Sequence, residues 1–344
     1  MQDKKYKFFT EPYAHQREAF EASVEAKVFA LLLDMGTGKT KVTLDTTGFL
    51  FKKNLIELVL VVAPKGVIAN WVPEIEAHLP PEIEREVVLW NPSLSKQRKD
   101  ELNELHTKSK KLKFLLMNVE AFSTEKGTGV AELFVKRFKT FMVVDESTTI
   151  KNRKAKRTKA LCAVGRGAVY RRILTGSPVT RSPLDLFSQM AFLDPGIMGF
   201  SSYYAFQGRY SIVQRRTMGA HSFNQVVGFR RLDELTEKLA AHSYRVKKED
   251  CLDLPDKVYT KREVALTTEQ QRAYQQMKKL ALARLDSGEL STTKNVLTQI
   301  MRLQQICCGN LTDDEGEIHA LPSNRIKELL SLCEEVQGKA IIWA

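Results

Sequence analysis

Two short clusters in this chain have the residue types and the spacing to handle a phosphorylated ligand. In the first, Gly36, Thr37, Gly38, Lys39 and Thr40 follow an apolar run from Val28 to Leu33 almost directly. Glycines let the backbone turn tightly and aim N–H groups at phosphate oxygens, and a helix starting there adds the positive end of its dipole. Lys39 then reaches the outer phosphates, and the Thr40 hydroxyl a magnesium ion. The full pattern has glycine five residues before Gly38, where this chain has Leu33, so an ordinary strand-to-helix connection stays open on this segment alone. In the second cluster, Asp145 and Glu146 end the apolar run Phe141 to Val144. An acid at the tip of a buried strand can hold magnesium, and its neighbour can orient and deprotonate an attacking water. Two solvated turn residues would be the plainer reading. Roughly a hundred positions after a Lys-Thr cradle, the pair instead reads as its partner, carried on a neighbouring strand.

The elements that must position these clusters are legible as an alternation. Val28 to Leu33, Leu58 to Ala63, Phe114 to Met117, Phe141 to Val144 and Arg172 to Leu174 are short β-branched or apolar runs, each followed by turn residues and a helix-like stretch. Such alternation predicts an α/β unit with a mostly parallel sheet. Ligands bind at the carboxyl ends of such strands. Those ends carry Asp34 to Thr40, Pro64-Lys65, Asn118 to Glu120, Asp145-Glu146 and Thr175 to Pro178, one polar rim.

Beyond about Leu193 the chain becomes aromatic-rich and helical, with helices expected over Phe200–Arg209 and Leu232–Ala241 and a strand over Val258–Leu266 returning to the first sheet. Thr268 with Gln271 has capping-box spacing and opens a helix through Arg284. Asn295–Cys307 places Val296, Ile300, Leu303 and Cys307 on one face, and Arg325–Val336 is closed by Gly338. Asn310 to His319 reads as a hairpin around Asp313–Gly316 or as a surface loop, and Lys339 to Ala344 as a new apolar strand.

With 344 residues and 43% hydrophobic content the chain can bury real cores, which excludes a disordered protein. The 53 basic against 41 acidic side chains give a formal charge of +12, supporting a polyanionic partner. The five cysteines have no Cys-x-x-Cys spacing, so neither a zinc site nor a disulfide framework is indicated. The start of the chain lacks an apolar signal core and no run is long enough to span a bilayer, so an intracellular, non-membrane protein is expected.

The ordered set formed by Asp34 to Thr40, Val61 to Pro64, Trp71 with Glu74, Asn118 to Glu120, Asp145 to Thr148, Ile150 to Asn152 and Leu174 to Pro178 resembles the ATPase motor of the SWI/SNF branch of helicase superfamily two. Tyr244 to Lys247, Leu254 to Lys257 and Arg302 to Cys307 resemble that branch in particular, and the wording is closest to prokaryotic or phage relatives. The resemblance implies a RecA-like P-loop lobe that binds ATP and Mg2+ and moves on duplex DNA. By position, Gln16 would read adenine, its amide offering a donor and an acceptor. Gly36, Thr37, Gly38, Lys39 and Thr40 would bind the triphosphate. Thr40 and Asp145 would hold the metal, and Glu146 would act as base. Thr175 and Ser177 would couple nucleotide state to movement, while Lys65 and Asn118 would touch the DNA backbone without implying sequence preference. Members often have alanine and histidine after the two acids. Ser147 and Thr148 stand there instead, which puts coupling through that histidine in question.

Lys151 to Lys159 packs six positive charges behind the acids, and Lys151, Lys154 and Arg157 are candidates for duplex phosphates, against a solvated helix face or a nuclear-import patch. Arg209, Arg215 and Arg216 superficially resemble the arginine motif of the family's second lobe, but they come too early and read as insertion or DNA-facing residues. The expected organisation is a RecA-like ATP-binding lobe over 1–195, an insertion over 196–266, a helical extension over 267–338 and the first strand of a truncated second lobe over 339–344. Lacking the arginine finger of that second lobe, the chain is expected to turn over poorly on its own. A prokaryotic or phage relative would be cytoplasmic, with the nucleus left open. A P-loop kinase and a non-catalytic DNA-binding module are the rival readings.

Overall fold

The computed structural model describes residues 6–93, 96–107, 109–218, 221–251, 255, 257–286, 293–312 and 316–343. The chain divides into two compact units, Met1–Leu254 and Pro255–Ala344.

The first unit is α/β. Its strands are β1 (Val28–Leu33), β2 (Leu58–Ala63), β3 (Arg85–Leu89), β4 (Leu112–Asn118), β5 (Thr140–Asp145), β6 (Tyr170–Leu174), β7 (Ser211–Met218), β8 (His221–Phe229) and β9 (Ser243–Val246). Seven of them form one sheet in the order β3-β4-β2-β5-β6-β1-β9, every neighbouring pair parallel. Side chains alternate across a strand, so an all-apolar strand needs cover on both faces. Along β2, Leu58, Leu60 and Val62 enter one buried cluster and Val59, Val61 and Ala63 the other. Helices α1 (Ala14–Ser23), α2 (Lys39–Lys52) and α3 (Trp71–His78) belong to the part of this unit that carries the cradle.

Two expectations change, and two elements went unread. The strand carrying the acids is not beside the cradle strand: β6 lies between β5 and β1 and bonds to both. The strand that returns to the sheet is β9, paired with β1 from Ala30↔Ser243 to Leu33↔Val246, whereas the described residues of 258–266 are in no strand. β3, with Arg85 and Glu86 among its five residues, escapes an apolar-run search because it is an edge strand, where polar side chains are tolerated. Strands β7 and β8 form a separate antiparallel hairpin that periodicity also missed.

The second unit holds helices Thr268–Asp286, Thr293–Cys308 and Arg325–Glu335. The expected hairpin is present as β10 (Asn310–Thr312) against β11 (Ile318–Ala320), though 313–315 of its turn lie outside the described residues. The capping box sits one residue earlier than its spacing suggested. The Thr267 hydroxyl accepts from the Gln270 N–H at 3.2 Å, and the Gln270 amide oxygen accepts from the Thr267 N–H at 3.1 Å. On Thr293–Cys308 the buried positions among the described side chains are Gln299 and Ile306, while Ile300 is exposed. Residues 339–343 form no strand, because a strand exists only through a paired neighbour, and Ile341, Ile342 and Trp343 are exposed. Leu254 and Asp256, within the resemblance motif, lie outside the described residues, as does Ala344.

Candidate active site

The turn between β1 and α2 is built by two residues in the left-handed region, Gly36 at φ 81° and Gly38 at φ 92°. A side chain at Gly38 would face a second obstacle, since a Cβ there would come within 2.3 Å of the Gln16 Nε2. Gln16 is itself buried and closes the loop from outside. Its Nε2 donates to the Thr37 carbonyl at 3.1 Å and its Oε1 accepts from the Tyr13 N–H at 3.1 Å. Thr37 is buried and donates its hydroxyl to the Asp34 carbonyl at 2.7 Å. Lys39 donates to the carbonyls of Leu33 at 2.9 Å and Asp34 at 3.3 Å, which holds its ammonium at the end of β1.

Across the sheet rim, Asp145 ends β5. Its Oδ2 accepts from the buried Trp71 Nε1 at 3.1 Å and its Oδ1 from the Glu146 N–H at 3.0 Å. Glu146 has φ 48°, a left-handed conformation uncommon for a residue with a side chain. Burial pushes the Asp145 carboxyl above its ordinary range, opposed by the Trp71 and Glu146 hydrogen bonds and then by the charge of Lys39. Burial also raises Glu146, opposed by Lys39, reinforced by Asp145 and eased by the Thr175 hydroxyl. The two clusters meet in one cavity of about 300 Å³, lined by Met35, Gly36, Lys39, Thr40, Val67, Asn70, Trp71, Glu74, Asp145 and Glu146. An ammonium, a hydroxyl and two carboxylates facing one space at the end of a helix fit a metal-bound polyphosphate in both charge and donor type.

On sequence and fold together, the chain's kinship is decided. Residues 15–311 match the family described as the SNF2-related domain. The chain belongs to that family. It is 28% identical over 304 residues to the SWI/SNF chromatin-remodeling complex subunit snf22 of Schizosaccharomyces pombe, covering 86% of this chain and 17% of that protein. To a SWI/SNF-related matrix-associated actin-dependent regulator of chromatin subfamily A member 3-like 1 of Arabidopsis thaliana it is 29% identical, covering 72% of this chain and 26% of that protein. The chain thus spans about a quarter or less of the length of these relatives. Among solved structures, the Sulfolobus solfataricus SWI2/SNF2 ATPase core in complex with dsDNA shares the fold at TM-score 0.54 and 24% identity, covering 96% of this chain and 65% of that one. The same core domain without DNA in its description gives TM-score 0.51 at 25% identity, covering 88% of this chain and 58% of that one. The chain is an SNF2-family ATPase domain with the seven-stranded α/β lobe of that core. No helix among the described residues is long and apolar enough to cross a membrane.

Of the other residues singled out by sequence, Thr175 is buried at the end of β6 and its hydroxyl accepts from the Ser177 N–H at 3.3 Å, with Ser177 exposed. Lys65 and Lys154 are exposed and Asn118 donates to Glu120 at 3.0 Å. Lys151 donates to the Thr180 hydroxyl, and Arg157 donates to the Thr149 carbonyl at 2.9 Å, so Arg157 has a structural bond of its own. Two contributors went unread in sequence. Trp71 was noted only within the resemblance, and its bond to Asp145 spans 74 positions. Gln189 was not noted at all. Fully buried, it accepts from the Ser147 hydroxyl at 2.7 Å and donates to the Pro178 carbonyl at 2.7 Å and the Asp185 carbonyl at 2.9 Å. Ser147, the residue after the two acids, is therefore tied to the Thr175–Pro178 loop by one amide.

Proposed function

We propose that this chain is the ATP-binding lobe of a motor that couples ATP hydrolysis to movement along duplex DNA. The observation that carries this is the single cavity uniting Lys39 and Thr40 with Asp145 and Glu146. In this reading Gly36 to Thr40 hold the phosphates, the Lys39 ammonium leaving its carbonyl partners for the outer phosphate oxygens. Gln16 stands beside the loop, its amide able to read an adenine edge while still bracing Thr37. Thr40 and Asp145 would hold Mg2+, which when bound offsets phosphate charge. Glu146 accepts a proton from the attacking water, a role suited to a carboxylate whose basicity burial has raised. Trp71 fixes the Asp145 carboxylate, so the adjoining Glu146 is presented at a constant angle.

The coupling route runs from Glu146 through Thr175 at the end of β6, and from Ser147 through Gln189 to Pro178. Lys65, Asn118, Lys151 and Lys154 supply contacts to duplex phosphates, in keeping with the +12 charge. No arginine lines the cavity among the described residues. Among the side chains lining the cavity Lys39 is then the one cation that meets developing charge on the transferred phosphoryl group, and an arginine finger is worth about 10³ to 10⁵ in rate.

The test is ATP hydrolysis with and without duplex DNA, for this chain and for a version extended at its C-terminus. The expected result is weak turnover by the chain, and turnover stimulated by duplex in the longer version. Vigorous hydrolysis by the chain alone would overturn the missing-arginine argument. Phosphate delivered to a small metabolite instead of water would favour a kinase.

A further inference from the structure

The β7–β8 hairpin is unused by the site, and the stretch that contains it carries charge of one sign only. From Pro195 to Leu232 there is no Asp or Glu, while Arg209, Arg215, Arg216, Arg230 and Arg231 all fall within it. An isolated two-stranded hairpin is marginal in water, so its base must be held by the rest of the lobe. It is. The buried Tyr210 and the guanidinium of Arg209 both donate to Glu234, Arg230 donates to the carbonyls of Gly208 and Arg209, and Val226 and Phe229 pack against the main core. Beyond that anchor the described residues Gln214 to Thr217 and Ser222 to Gln225 are all exposed.

Register determines what the exposed part presents. Gln214 faces Gln225 and Arg216 faces Phe223, and with a side-chain period of two these four share one face. Arg215 and Asn224 oppose each other on the other face, where Arg215 donates to the Ser222 hydroxyl at 3.0 Å. Neither Arg215 nor Arg216 has a carboxylate partner among the described residues. A ribbon of two strands fits the major groove of B-form DNA, and amides and guanidinium groups are the side chains that bond base edges and phosphates there. The helix Tyr203–Tyr210 leads straight into β7, and at its start Arg153 of the basic run lies over the rings of Tyr203 and Tyr204, at 4.2 and 5.0 Å. The basic run thus touches the start of the helix that leads into the hairpin.

We infer that the described residues of β7 and β8 form a second duplex-DNA contact, a ribbon lying in a groove with its Gln214–Gln225 face toward base edges, Arg216 reaching a flanking phosphate from that face and Arg215 one from the opposite face. This rests on the duplex reading above and extends it to an element that no motif of the family resemblance touches. Each phosphate neutralised contributes about 0.9 to the slope of log affinity against log salt.

Binding of the full chain to a fluorescein-labelled duplex, followed by anisotropy over a potassium chloride series, tests it. The double variant Arg215→Gln, Arg216→Gln is expected to bind roughly tenfold more weakly at low salt, with the slope reduced by about 1.8. A photo-crosslinking benzoylphenylalanine at Phe223 is expected to label the duplex in the otherwise unaltered chain, a readout independent of any loss of folding. An unchanged slope without crosslinking to DNA would overturn the inference while leaving the duplex reading intact. Competition by polyglutamate equal to that by duplex at matched charge would also overturn it, since a mere polyanion site has no use for groove geometry. If the unaltered chain fails to bind duplex at all, the motor reading itself fails, and the ribbon with it.

Discussion

Trp71 shows how one side chain can set the chemistry of another. Its indole N–H is the largest influence opposing the burial that raises Asp145. A hydrogen bond to the ionised form favours that form. Removing it by Trp71→Phe should raise the Asp145 pKa further, so the neutral form, which lacks the charge to hold a metal, persists to higher pH. The acid limb of ATP hydrolysis by the extended protein should move upward in pH, and a pH–rate profile of both proteins checks it. An unmoved limb would mean that the indole bond has no influence on ionisation. Gln189 presents a different situation, because its neutral amide joins the buried Ser147 hydroxyl and Pro178 carbonyl to the half-buried Asp185 carbonyl. Gln189→Leu leaves the Ser147 hydroxyl and two carbonyls without their partner, at about 1–3 kcal/mol for each group left buried and unpaired. Loss of stability is expected in a urea melt. In the extended protein, the ratio of duplex-stimulated to unstimulated hydrolysis should also fall. A ratio equal to wild type would reduce Gln189 to a packing residue. Neither partnership was legible in sequence, since Trp71 and Asp145 are 74 positions apart and Ser147 and Gln189 are 42 apart.

The elements that present these residues are held by a buried charge. Arg172 on β6 is 1% exposed, and its guanidinium donates to the carbonyls of Ser23 at 2.5 Å and Ala26 at 2.8 Å, where α1 ends. Burial pulls its pKa down to about 9. Carbonyls at a helix end have no partner within the helix, and a cation there also meets the negative end of the dipole. The helix so clamped carries Gln16, which braces the Thr37 carbonyl, so β6 positions the cradle of β1 through α1. Arg172→Met fills the same space but takes the donor from the Ala26 carbonyl and one of two donors from the Ser23 carbonyl, which keeps the Ala26 N–H. A loss of roughly 1–3 kcal/mol is expected, read as a lower urea midpoint with the slope of the transition retained. From the sequence, Arg172 was only the first residue of an apolar run. An arginine inside a strand signals nothing until the helix end it serves is folded beside it.

Assembly of the chain follows the same division of labour. Both buried clusters draw all their residues from before Leu254, and every strand of the parallel sheet lies there too. The second unit has few fully buried side chains among its described residues, Ile306 and Gln270 being two, and it exposes Leu280, Leu297, Ile300, Met301 and Leu330. Stability requires enough apolar burial to offset chain entropy. Residues 1–254 alone should therefore melt cooperatively and bind nucleotide with an affinity close to that of the chain, whereas 255–344 alone should not give a cooperative melt. Calorimetry of the two pieces, with nucleotide titrated into the first, checks both. A cooperative transition from the second piece would show that its helices form a core of their own.

Local chemistry and periodicity were sufficient for the cradle, the acid pair and the parallel α/β class, because glycine turns, buried strands and neighbouring carboxylates are properties of adjacent residues, while the ordered set of motifs carried the resemblance to the SNF2 family. Folding alone set the strand order, with β6 between the two halves of the site and β9 beside β1, because hydrogen-bonded neighbours in a parallel sheet are distant in sequence. It also created the bonds of Trp71, Arg172 and Gln189, whose partners are a carboxylate, carbonyls and a hydroxyl brought from as far as 149 positions away. A side chain's type says which bonds it can make, and only the packed chain says with whom.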